Sequence, residues 1–420
     1  MLKSNIAWMK KNVPSDLKVW KGMIQDIDWS QVAAKTKLSL QRDKDRITAE
    51  FKEFAAMDTS AKIDWLMNGD RHLGYLYKKD AIAFARREWK GLKSVGYDFV
   101  GWLKIWGGML NMVMKDPVSI MLAVFEYHWF ASYLATPAVV DRSVFGRRGK
   151  LLQADFDMWV AITHWAEDLI ANLIMADAKI GGNQKINKRI IMFDEMTMAQ
   201  MMAGFPNLLG IPYQMIPVFM VSEMDQLTLI PYIDAIESYG LPSDTCPLPT
   251  AECGCAVKDE YPMCGQGFIA SSMPCDGSVM ATSFQDRRFS KFMPSYPLCM
   301  PVRYDDEDTT EMAAADMKDC IHWVEGLTGE TWNWDTYFAT MEKMNECTRL
   351  EMEKWEINKT HYPQLVGSSF ELFRKWNYEM DGGLFPEGLK TQRKICKTMM
   401  ETYEKKLPAY VGGYEKYRAL

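Results

Sequence analysis

Nine cysteines occur in the chain, and five of them fall between positions 246 and 275: Cys246, Cys253, Cys255, Cys264 and Cys275. Thiolates are soft ligands suited to iron–sulfur clusters, zinc and copper. Tetrahedral zinc sites usually carry two CxxC-type pairs. Here there is no CxxC, only Cys253-x-Cys255 and wider gaps. That irregular spacing favours a cluster held by loops from separate elements. Cys246 and Cys275 are read as ligands, while Cys253, Cys255 and Cys264 stay undecided between ligand and buried thiol. Cys299, Cys320, Cys347 and Cys396 sit in apolar or helical patterns and read as small buried hydrophobes.

Loops that carry ligands need elements to aim them. Lys188–Phe193 is a short apolar run behind basic residues, a buried-strand signal. Gly210–Pro217 reads as a second extended piece because its two prolines disfavour a helix. Gly267–Ser271 and Pro297–Val302 read as two further strands. Helices are expected over Met196–Ala203, Leu229–Tyr239 (ending at Gly240, a natural C-cap) and Ser278–Phe289. Strands alternating with helices predict a parallel sheet, with ligands at the carboxyl ends of its strands. Cys275 follows the Gly267–Ser271 strand to such an end. Cys246 begins a Pro-rich loop that would lie over the same edge.

The flanking regions read as helical. Apolar residues recur at helical spacing in Ile47–Phe54, Lys79–Lys93 and Asp155–Asp177, and again in Thr309–Leu327, Trp334–Lys359, Phe370–Met380 and Glu387–Lys405. The expected fold class is α/β, a Rossmann-like parallel-sheet domain over 186–305. A helical region over 1–185 precedes it and another over 306–420 follows.

Composition narrows the function. Hydrophobic residues make up 48% and charged residues 25%, the balance of a folded globular chain. A formal net charge of −6 argues against nucleic acid as the partner. The start Met1-Leu2-Lys3 shows no secretory pattern, so a cytoplasmic location with reduced thiols is expected. Pro117–Val140 is mostly apolar, but Glu126, His128 and Pro137 interrupt it. Charge at mid-membrane is costly, so a buried core helix is the favoured reading and a membrane is not an expected partner. GxSxG, P-loop and HExxH motifs are all missing, and Gly265-x-Gly267 precedes a strand where a dinucleotide fingerprint must follow one.

Four segments together resemble a known family. They are Tyr232–Gly240 followed by Asp244-Thr245-Cys246; Phe268–Asp276 with Ser271, Ser272 and Cys275; Tyr296–Asp305; and Met317–Phe338 with its Leu327-Thr328-Gly329. Their order over roughly residues 186–405 is similar to that in the 2-hydroxyacyl-CoA dehydratases and the related benzoyl-CoA reductases. The resemblance implies oxygen-sensitive enzymes of two related subunits, each with two Rossmann-like halves and three cysteines holding a 4Fe–4S cluster. It also implies a separate ATP-dependent iron–sulfur activator that injects one electron, and an acyl-CoA substrate that loses water to become a 2-enoyl-CoA.

On that resemblance Cys246 and Cys275 are two of the ligands. The third would come from a second α/β half beyond residue 405, supplied as a missing C-terminal half or a second dehydratase-like subunit, or else from Cys255 or Cys264. Ser271 and Ser272 would donate to a cluster sulfur or to the thioester carbonyl, with a strand-end cap as the alternative. Residues 1–180 have no place in the resemblance. Three other functions stay open: a benzoyl-CoA reductase-type component, a non-catalytic cluster-carrying or structural paralogue, and a zinc-stabilised module.

Overall fold

The computed structural model describes residues 29–68, 91–133, 136, 139–140, 149–194, 199–224, 226–242, 244–271, 276–289, 292–299, 301, 306–364, 368–380 and 383–406. The expected helix over Lys79–Lys93 lies largely outside them, as do Ser272 and Cys275.

Four parallel strands form one sheet in the order β2-β1-β3-β4: β1 (Ile190–Phe193), β2 (Leu209–Pro212), β3 (Gly267–Ser271) and β4 (Ser295–Leu298). The α/β class read from the sequence is therefore the class observed. Successive side chains on a strand point to opposite faces, and the cores follow that alternation. Ile190, Met192, Ile211, Phe268 and Ala270 join the larger core on one face. Ile191, Phe193, Ile269 and Leu298 join a second core on the other, with Met201, Met202 and Phe205 and with Ile321 and Val324. Both faces are thus covered, as a parallel sheet requires.

The first helical region is α1 (Trp29–Ala56), α2 (Thr59–Asn68), α3 (Gly91–Lys115), α4 (Pro117–Glu126) and α5 (Gly149–Ala176). Helix α3 lies on α5 through glycines, since a Cβ at Gly101 would sit 2.4 Å from the Phe156 ring and one at Gly108 3.2 Å from Thr163. Its opposite side leaves Leu92, Phe99, Leu103, Trp106, Leu110 and Met114 exposed. Helix α4 is short, N-capped by Asp116 and ended at Tyr127, so Pro117–Val140 is not one continuous helix. No single helix among the described residues is long and apolar enough to cross a membrane; α3 and α4 reach that measure only jointly, across a 97° bend.

The turn after α4 docks this region on the sheet unit. Glu260 accepts from the Tyr232 hydroxyl at 2.6 Å and the His128 amide at 2.8 Å, and the Trp129 indole donates to its carbonyl at 2.8 Å. Nearby, buried Asp177 accepts from the Tyr127 hydroxyl, the Met263 amide at 2.7 Å and the Lys179 amide at 3.1 Å. Burial raises the Asp177 carboxyl above its ordinary range, and these hydrogen bonds offset part of the rise. A carboxyl with a raised folded pKa contributes stability that is fully present below the unfolded pKa and lost as pH rises through the folded value. Asp177→Asn is expected to flatten that loss. Urea-unfolding free energies compared between roughly pH 4 and pH 7 check it, and a slope unchanged from the parent contradicts it.

Three sequence expectations are corrected here. The strand read over Pro297–Val302 runs from Ser295 to Leu298. Gly210–Pro217 is extended only to Pro212, and Met215–Phe219 is helical. Pro217 falls in the first turn of that segment, where its missing N–H needs no partner. The Pro-rich stretch after Cys246 is also a helix. After α6 (Ile230–Glu237) and Gly240, with its positive φ of 95°, comes α7 (Pro247–Val257). Pro247 and Pro249 both occupy its first turn, where proline is tolerated and pre-set for helix.

Five longer helices follow: α8 (Asp276–Phe289), α9 (Glu307–Thr328), α10 (Trp334–Asn358), α11 (Ser368–Lys375) and α12 (Pro386–Glu404). Asp306 caps α9 at one end and Gly329 with φ 76° at the other. Helices α11 and α12 return to α5, where Trp165 meets Trp376 at 5.7 Å and Lys394 pairs with Asp157 at 2.7 Å. Between α10 and α12 the buried Lys354 ammonium is held by Glu351 at 2.7 Å and Gln392 at 2.6 Å.

Candidate functional site

Strand β1 pairs with β2 on one side and β3 on the other, so the chain reverses its direction across the sheet between β1 and β3. Open α/β sheets take ligands at the carboxyl ends of the two strands flanking such a switch point. Asp194 stands immediately after β1 and Ser271 ends β3, both buried. The Asp194 carboxylate accepts the Ser271 amide at 2.5 Å, the Ser271 hydroxyl at 2.9 Å and the Thr282 hydroxyl at 3.4 Å. Thr282 lies in α8, so one carboxylate ties the end of β3 to the helix that follows it.

The Ser271 hydroxyl donates its one hydrogen to Asp194 in this structure, the arrangement of a strand-end cap. Ser272 and Cys275 lie in the stretch between Ser271 and Asp276, outside the described residues.

Helix α7 positions Cys246. Cys253 of α7 packs in one cluster with Ala281 of α8, and just beyond α7 the Tyr261 hydroxyl accepts from Gln285 of α8 at 3.1 Å. Helices α7 and α8 therefore pack against each other. Cys246 is the exposed N-cap of α7, and its side chain makes no capping hydrogen bond. Its sulfur is thus open to a ligand role.

The other candidates are placed apart from it. Cys255 lies nine positions further along the same helix, which at 1.5 Å per residue is ~13 Å along the axis. Cys253 and Cys255 are two apart on a helix, where side chains do not face each other, and both are fully buried. Cys264 precedes β3 and is buried at the amino edge of the sheet. Burial pushes the Cys253 thiol up to about 12, with the Glu252 charge adding to it. Burial also raises the Cys264 thiol well above its usual value. Thiols so raised are poor sources of the thiolate a metal binds. Cys320, Cys347 and Cys396 are buried among helices, whereas Cys299, also read as buried, is only half-buried directly after β4, where its amide donates to Asp316.

Among the described residues no group of three or more His, Cys, Asp or Glu converges on a metal position. The thiols they leave accessible to a 4Fe–4S cluster are the exposed, uncapped Cys246 and the half-buried Cys299 after β4. The Cys246 thiol suits a cluster whose other ligands come from elsewhere.

With this edge in view, the comparison with known families is specific. Residues 226–420 match the 2-hydroxyglutaryl-CoA dehydratase D-component family. The matched D-component region begins just before α6 and so includes α7, β3, α8 and the helices that follow. It bears out the family resemblance read from Tyr232–Cys246, Phe268–Asp276 and Met317–Phe338, while β1 and β2 lie ahead of the match. No curated protein matches the chain. Asp194 and Thr282 escaped the sequence reading. The available signal was an acidic residue directly after the apolar run Ile190–Phe193.

Proposed function

We propose that the chain is a component of a 2-hydroxyacyl-CoA dehydratase that holds a 4Fe–4S cluster at the carboxyl edge of its sheet. The observation that carries the reading is the exposed, uncapped Cys246 thiol at the N-cap of α7, inside the matched region 226–420 that also contains Cys275 between β3 and α8. Cys246 and Cys275 are the two ligands assigned to this chain. The third is assigned to a second dehydratase-like subunit or α/β half, because Cys255 and Cys264 are buried away from Cys246.

The net reaction is a 2-hydroxyacyl-CoA giving a 2-enoyl-CoA and water. When bound, the cluster supplies one-electron chemistry and an iron with an open position that acts as a Lewis acid. The electron that starts the reaction comes from an ATP-dependent iron–sulfur activator and is returned at the end, so the overall balance is redox-neutral. The chain's own residues hold the edge in place. Asp194 ties β3 to α8 through Ser271 and Thr282. Helix α7, seated on α6 at Gly254, presents Cys246.

Anaerobic assay with the co-purifying subunit, the activator, ATP and a 2-hydroxyacyl-CoA is expected to give enoyl-CoA, and Cys246→Ala to reduce it at least about a hundredfold. Cluster-loaded protein that turns over neither hydroxyacyl-CoA nor an aromatic thioester contradicts the enzymatic reading. Reduction of benzoyl-CoA without dehydration would assign the chain to the reductase branch instead.

A further inference from the structure

Helix α3 runs for 25 residues, about 37 Å at 1.5 Å per residue. One side is packed on α5, with Gly101 and Gly108 at the closest approach and Ile105 and Met112 in the core. The other side carries an apolar stripe. Leu92, Phe99, Leu103, Trp106, Leu110 and Met114 recur at steps of three, four or seven, the spacing of a single helix face. All six are exposed, Phe99 by 63%, Leu110 by 62% and Met114 by 64%. Scattered exposed apolar side chains are ordinary, but a continuous row of them marks a contact surface. The exposure continues beyond α3 at Val118 and Met121 of α4.

Charge is arranged around the stripe. The helix carries three lysines, Lys93, Lys104 and Lys115, and one acid, Asp98. The lysines stand eleven residues apart, close to three helical turns. They therefore line one edge of the stripe, and all three reach the surface. Asp98 is buried. Within a chain of net charge −6, α3 thus presents a basic, apolar surface with no exposed acid of its own. Phenylalanine, tryptophan and leucine on a helix face edged with lysines suit a membrane interface. The apolar side chains enter the acyl boundary, and the ammonium groups meet anionic headgroups. The geometry offers contact and not a straight crossing, because α3 and α4 meet at 97° and the other side of α3 is held by α5.

We propose that the exposed side of α3 docks the protein on a membrane surface containing anionic lipid, with the helix lying along the surface, the stripe in the interface and the lysines at headgroup phosphates. Helix α3 lies outside residues 226–420, and the assignment is independent of the dehydratase reading.

Co-sedimentation of the full chain, with any co-purifying chain retained, with vesicles of phosphatidylcholine and phosphatidylglycerol in equal parts tests it. Saturable binding is expected, at least about tenfold weaker on pure phosphatidylcholine and weakened by salt. Lys93→Gln combined with Lys104→Gln should weaken it about tenfold or more. Lys115 is left in place because it also holds Asp168. Phe99→Ser combined with Trp106→Ser should abolish binding. The substituted side chains are exposed, so urea-unfolding midpoints of both variants are expected to match the parent's. Failure to bind the mixed vesicles overturns the proposal, as does binding that neither double variant weakens. Equal binding to pure phosphatidylcholine overturns the anionic preference. A two-copy particle in light scattering that the Phe99 and Trp106 variant dissociates, without vesicle binding, overturns the lipid assignment in favour of self-association.

Discussion

Asp194→Ala is expected to destabilise the fold by about 3 kcal/mol, and Asp194→Asn by about half as much. The carboxylate is buried and takes the amide and hydroxyl of Ser271 together with the hydroxyl of Thr282. Alanine leaves that amide and those hydroxyls without their acceptor in a place closed to water. Hydrogen bonds to charged groups contribute about 1.5–3 kcal/mol, and an abandoned buried donor costs about 1–3 kcal/mol. Asparagine keeps the volume and one acceptor oxygen, which explains the smaller loss. Urea unfolding measures both, and hydrogen exchange at the Ser271 amide localises the effect. A change below about 0.5 kcal/mol, the range of an ordinary surface substitution, would contradict the view that Asp194 ties β3 to α8.

Gly254→Ala is the second large effect. A Cβ at this position would lie 1.9 Å from the backbone carbonyl oxygen of Tyr232. Backbone cannot rotate away as a side chain does, so α7 must move off α6. The expected cost is about 3 kcal/mol, the upper end for overpacking. Because Cys246 caps the same helix, the displacement should also lower iron retention. A variant as stable as the parent, with undiminished iron, would show that α7 is not seated as described.

The sheet was legible because its strands are short apolar runs bounded by glycine and proline, and Ile190–Phe193 and Gly267–Ser271 lie inside or on the segments read from the sequence. Helix ends marked by a conformational requirement were equally legible, as at Gly240 and Gly329, both with positive φ. Proline misled twice, at Pro217 and in Pro247–Pro249, because a proline in a first turn starts a helix as readily as it breaks one. Helix α7 in turn decided the fate of Cys253 and Cys255. Their i, i+2 spacing is chelating in a loop and divergent on a helix. Asp194 stayed hidden because its partners are remote in sequence: Ser271 and Thr282 meet it only once β1 and β3 are paired.

Iron and acid-labile sulfide, measured after strictly anaerobic purification with any co-purifying chains retained, test the cluster assignment most directly. About four irons and four sulfides per site are expected in the parent. Both should be lost in Cys246→Ala and in Cys275→Ala, and kept in Cys255→Ala and Cys264→Ala. Iron retained in the first two variants, or zinc in place of iron in the parent, would contradict a cluster held at the carboxyl edge by Cys246 and Cys275.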